Sequence, residues 1–106
     1  MKNKMAQIRE NVTAMHLFND AKADAASSGT SEPIRLRYCN AVVYATPNYF
    51  ILRSYWTTVA VINRNSGEAA DVLRGVYGYT ATSAQHIRKF FQDYLAVKIY
   101  TWRDID

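Results

Sequence analysis

The sequence predicts an α+β domain: a mainly antiparallel sheet of about four to five strands packed by a C-terminal helix, with an additional N-terminal helix. Three observations carry this. Apolar residues recur at helical spacing near both ends of the chain, residues 34–39 alternate with period two and the runs that follow to residue 62 are rich in β-branched and aromatic side chains, and turn signals separate those runs. The chain has 106 residues, 49% hydrophobic and 21% charged, which suits one hydrophobic core. It reads as a single domain, 1–106, with an N-terminal helical segment (1–26), a loop (27–33) and a sheet-plus-helix body (34–106).

The N-terminal segment places Met5, Ile8, Val12 and Met15 on one helical face, widened by Leu17 and Phe18. The helix is expected over 5–22, because Asp20 and Asp24 oppose the macrodipole near its C-terminal end. The stretch AKADAASSGTSEP, residues 21–33, reads as a fraying end and a loop. After Pro33 the period changes. Ile34, Leu36 and Tyr38 alternate with Arg35, Arg37 and Cys39, and Ala41 to Tyr44 continues the strand. Thr46-Pro47-Asn48 is a turn. Tyr49–Tyr55 is a further strand, Thr57–Ile62 is a third or a bent continuation of it, and Asn63 to Gly67 is a hairpin signal. Glu68–Leu73 and Val76–Tyr79 are weaker strands, with Gly75 and Gly78 marking bulges. Thr82 and Gln85 match a capping box for the second helix. Its stripe of Ile87, Phe90, Phe91 and Tyr94 runs to about Leu95. Val97–Tyr100 is expected to add an edge strand.

Composition narrows the function classes. The apolar content argues against disorder, and no apolar run approaches the ~18 residues that would cross a bilayer. Cys39 is the only cysteine, so no intrachain disulfide forms, and a cytoplasmic location is expected. Lys2 and Lys4 are followed by Arg9, Glu10 and Asn11 where a signal peptide needs an apolar stretch. One Cys and two His are too few for a structural zinc site. Neither metal nor cofactor is predicted.

The chain has no P-loop, nucleophile elbow or dinucleotide fingerprint, and it reads as a non-enzyme. A Cys39–His86 pair stays open, because catalytic partners need not be adjacent in sequence. So does a small nuclease using His86 or His16, since histidine can act as acid and base near neutral pH. The simpler reading of His86 is a neutral side chain in a first helical turn, where the dipole disfavours imidazolium.

The richer signal is an interleaving of arginine and aromatic residues. The net charge is +4, and eight of the fourteen aromatics are tyrosine. Arg35, Arg37, Tyr44, Tyr49, Arg53, Tyr55 and Trp56, with Arg88 and Lys89 on the second helix, form the candidate partner-binding set. Tyr, Trp and Arg dominate protein hot spots. The same residues stack bases and neutralise phosphates, so a basic nucleic-acid-binding sheet face is the alternative. Taken singly, each also has a plain structural use, as strand former or solvated face.

From Leu52 onward, LRSYWTTVAVIN (52–63) and VYGYTATSAQHIRKFFQDY (76–94) together resemble a family of small phage and prophage accessory proteins. Its pattern is LRSY-x-T-x-VA, a short turn, then Y-(S/T)-x-T-(S/T)-x-HI-x-KF. The likeness spans about half the chain. Trp56 departs from it, standing where a small polar residue is usual, and the first thirty residues lie outside it. The family has no established activity. The resemblance implies a mobile-element origin and, by analogy of genomic neighbourhood, a protein that binds and inhibits a host protein. A CRISPR effector or another defence nuclease would be the target of such an anti-CRISPR or anti-defence inhibitor. The pattern is equally well explained as a fold signature of strand, hairpin and capped helix.

Overall fold

A computed structural model describes residues 4–36 and 40–103 of the chain. Helix α1 (Lys4–Ser28) is followed by strands β1 (Ile34–Arg35), β2 (Ala41–Ala45), β3 (Tyr49–Ser54), β4 (Thr57–Asn63) and β5 (Glu68–Asp71). Helices α2 (Leu73–Val76) and α3 (Ala81–Asp93) and strand β6 (Lys98–Thr101) complete the chain. The strands form one sheet in the order β1-β2-β3-β4-β5-β6. Every pairing is antiparallel except β5 with β6, which is parallel. The two helices between β5 and β6 supply the crossover that a parallel pair requires.

Strand alternation makes two apolar faces. Tyr49, Ile51, Val61, Ala70 and Val72 face α1, which buries Ala14, Leu17, Phe18 and Ala21 against them. Val43, Leu52, Ala60, Ile62 and Ala69 face the other way, toward Leu73 of α2 and Ile87, Phe90 and Phe91 of α3. Helices therefore cover opposite faces of the sheet. Between Leu52 and Arg53 the β3–β4 register slips, so that Leu52 pairs Ala60 while Arg53 pairs Thr58. Val59 is the extra residue of this bulge, and both Val59 and Ala60 turn toward α3.

Several boundaries differ from the sequence reading. The sheet has six strands rather than about four to five, because Ala41–Ala45 does not continue the strand begun at Ile34 but pairs antiparallel with it, Ile34 opposite Val43. The α1 helix runs to Ser28 and closes at Gly29, whose φ is +79° and whose N–H donates to the Ala25 carbonyl at 2.9 Å. Asp24 is no liability there, because Asn48 donates to its carboxylate from the backbone at 2.9 Å and from Nδ2 at 3.3 Å. The expected stripe is also displaced. Met5, Ile8 and Val12 are exposed, and burial begins at Ala14. A 25-residue helix is about 37 Å long at 1.5 Å per residue, and its first turns run past the sheet.

The Asn63–Gly67 turn forms as read, with Asn63 Oδ1 accepting from the Asn65 and Ser66 amides. By contrast, Val76–Tyr79 is not a strand. Val76 ends α2, and Tyr79 precedes α3. The capping residue of α3 is Thr80, whose Oγ1 accepts from the Ser83 amide at 3.1 Å, rather than Thr82. Starting two residues early frees Ser83 to point inward, where it is buried. The stripe of Ile87, Phe90, Phe91 and Tyr94 packs as expected.

Strand β6 has one edge not paired to β5, and α1 covers it with side chains. Glu10 accepts from the Thr101 amide at 3.0 Å. Asn11 accepts from the Arg103 amide at 3.0 Å and donates to the Arg103 carbonyl at 2.7 Å. These bonds substitute for a neighbouring strand and blunt the edge.

Candidate functional site

The α1 helix lies over β4, β5 and β6 and reaches β3. On the same face, Val42, Tyr44 and Arg53 alternate outward beyond it. Arg53 pairs with Val42 across the β2–β3 ladder. Its guanidinium carbon lies 5.0 Å from the Tyr44 ring centroid and 5.0 Å from that of Trp56. The two rings hold the long arginine side chain against the sheet, and such contacts contribute about 0.5–1 kcal/mol each at exposed sites.

Trp56 is 85% exposed. Tyr55 and Trp56 form the two-residue turn between β3 and β4, flanked by the paired Ser54 and Thr57. Both have positive φ, +51° and +78°. A two-residue hairpin turn with both central φ values positive is ordinarily made by Asn-Gly or Asp-Gly. An L-residue with a Cβ costs roughly 1–2 kcal/mol in this region. Two large aromatics therefore stand where the backbone favours the smallest residues, and one projects into solvent. Strain of this kind concentrates at binding sites.

Arg35, Asn40, Val42, Arg53, Tyr55 and Trp56 line a shallow concavity of about 220 Å³ at this edge. Two arginines line it, and among the described residues no carboxylate does. Val42 and Asn40 were not among the predicted residues: Val42 joins through its pairing with Arg53 across the β2–β3 ladder, and Asn40 lies beside the turn, its carbonyl accepting from the Tyr55 amide at 2.9 Å.

The predicted set separates in space. Arg35, Tyr44, Arg53, Tyr55 and Trp56 come together here. Tyr49 does not. It is 5% exposed and packed beneath α1, because its place on β3 puts it in phase with Ile51, and burial raises its phenol pKa. Arg88 and Lys89 lie on α3 across the sheet, and Lys89 pairs with Asp93 at 2.8 Å. Arg37 lies outside the described residues, as does Cys39.

The histidines do not meet either. His16 is exposed on α1, and His86 is buried on α3, on the opposite face. His86 Nδ1 lies 2.9 Å from Ser54 Oγ, which lies 2.9 Å from Ser83 Oγ. This trio resembles a serine–histidine pair, but Ser54 is 0% exposed and has no open path to a substrate. Burial lowers the His86 pKa and keeps the ring neutral. The trio ties α3 to the end of β3, directly below the turn, where the His86 ring lies 5.9 Å from that of Tyr55. Among the described residues, no group of three His, Cys, Asp or Glu side chains could hold a metal ion. Among the same residues, no helix is long and apolar enough to cross a membrane.

No protein family, curated protein or solved structure matches the chain.

Proposed function

We propose that this chain is a non-enzymatic interaction protein that binds a host protein through the β3–β4 turn and the sheet edge beside it, and inhibits that protein. The observation that carries this is Trp56, held in solvent at positive φ over the Arg53–Tyr44 stack. Trp, Arg and Tyr are the residues that anchor protein interfaces. In this reading Trp56 enters a pocket on the partner, and Arg35 and Arg53 meet its carboxylates. The mobile-element origin implied by the LRSYWTTVAVIN resemblance extends the proposal to a target in host defence, a CRISPR effector or another nuclease.

Single-stranded nucleic acid is the second reading, favoured because two arginines and, among the described residues, no carboxylate line the concavity. Base-stacking platforms use successive open aromatic faces. Here Arg53 already lies against both Tyr44 and Trp56, so a protein partner is preferred.

Affinity capture from host extract tests the proposal, comparing the wild type with Trp56→Gly, Arg53→Gln and a Lys89→Gln control. One host protein is expected in stoichiometric amount with the wild type and the control, and lost with the other two. Equal capture by Trp56→Gly would refute the assigned surface. Oligonucleotide binding that weakens steeply with salt and disappears in Arg53→Gln would replace the protein reading with the nucleic-acid one.

A further inference from the structure

A second concavity lies on the other side of the sheet, between α2, α3 and the end of β6. Its volume is about 320 Å³, within the range of small-molecule sites. Three guanidinium groups line it, from Arg74 on α2, Arg88 on α3 and Arg103 after β6. Against them stands the single carboxylate of Asp71, which also accepts from the Leu73 amide at 3.1 Å. Burial raises the Asp71 pKa, opposed by the Leu73 amide and by the charges of Arg103 and Arg74; this one carboxylate offsets at most one of the three positive charges. Among the described residues none of the three arginines makes an ion pair. Arg74 instead lies 4.6 Å from the centroid of the Tyr79 ring, which also lines the cleft. Ile87 and Phe91 of α3, buried in the core at 2% and 9% exposure, form only the floor of the cleft, and the exposed Tyr79 ring is the apolar surface open to a ligand.

We infer that this cleft binds a small organic phosphate of mononucleotide size, its phosphate among Arg74, Arg88 and Arg103 and its ring against Tyr79. Charge selects the ligand. Three arginines less one aspartate leave +2, which complements a phosphate monoester of about −1.5 to −2 at neutral pH. Guanidinium groups take phosphate oxygens in pairs, and the three arginines come from separate elements around one cleft. The site is independent of the Trp56 surface, because it lies on the opposite face and shares none of its residues.

The test is a titration of the full-length protein followed by backbone amide NMR. The probes are inorganic phosphate, adenosine monophosphate and succinate. Adenosine monophosphate is expected to shift amides of α2, α3 and residues 99–103 saturably, with half-saturation at or below about 1 mM. Phosphate should bind at the same place more weakly, and succinate more weakly still. Arg74→Gln with Arg88→Gln should weaken binding about tenfold or more. Lys89→Gln, one residue away on the same helix, should leave it unchanged, and so should Trp56→Gly. The inference fails if adenosine monophosphate produces no saturable shift, if succinate binds as well as the nucleotide, or if Lys89→Gln weakens binding as much as the arginine pair. The amide spectra of the variants show directly whether each is folded.

Discussion

At the level of single residues, the largest departures from ordinary preference sit in the β3–β4 turn. Tyr55 and Trp56 adopt the positive φ that most L-residues avoid. Just beneath them, Ser54, Ser83 and His86 satisfy one another in a buried network. That network has a pH signature. Burial lowers the His86 pKa from its ordinary value of 6.5, so the unfolded chain takes up the His86 proton at higher pH than the folded one. Folding stability from this group is therefore complete above about pH 6.5 and falls as pH drops through the window below it. Urea unfolding of the wild type between pH 7 and 5 should show this loss. His86→Gln should flatten the pH dependence across that window, whatever its absolute stability. A His86→Gln slope equal to that of the wild type would show that the histidine is not held neutral.

At the level of elements, α2 and the chain just after β6 meet at one close contact. A Cβ built at Gly75 would lie 1.6 Å from Trp102 Cε3, so the indole rests directly on the glycine backbone. Trp102 packs in turn against the cluster beneath α1. Gly75→Ala must expel the indole or shift α2, and overpacking of this kind costs typically about 1–3 kcal/mol. Thermal unfolding should show a lowered Tm, and an unchanged Tm would contradict the packing described.

Elements were legible in the sequence to the degree that their signals were local. The α3 stripe and the Asn63–Gly67 turn follow from periodicity and turn chemistry alone. The Thr80 cap was masked by a second threonine two positions later, and what selects Thr80 is tertiary: Ser83 must meet Ser54 across the sheet. The C-terminal extension of α1 to Ser28 depends likewise on Asn48, a residue of the β2–β3 turn that occupies the Asp24 carboxylate. The length of α1 hid its buried face, since Met5, Ile8 and Val12 are as periodic as the residues that pack yet stay exposed.

For the whole molecule, the α+β class and an antiparallel core were readable, and the two-sided covering of the sheet was not. Nothing local says that α1 and α3 lie on opposite faces, or that β6 returns parallel to β5. The candidate surface was half legible for the same reason. Arg53, Tyr55 and Trp56 are neighbours in sequence, whereas Tyr44 joins them through the β2–β3 pairing and the Arg53 contact. Tyr49 appeared equivalent until α1 covered it, while Arg74 and Arg103 join Arg88 only through the crossover that ends in β6. The two faces are thereby given different tasks. One presents a strained aromatic turn at a sheet edge left bare by a helix, and the other holds a cationic cleft.

The central claim is that Trp56 is retained for binding at some expense to the fold. Trp56→Gly tests it most directly when partner capture and the urea midpoint are measured on the same preparation. Relief at positive φ contributes roughly 1–2 kcal/mol, and loss of the Arg53 contact removes about 0.5–1 kcal/mol. The variant should therefore be as stable as the wild type or more so, while retention of the host partner falls about tenfold or more. A variant that is less stable and still holds the partner in full would contradict the account.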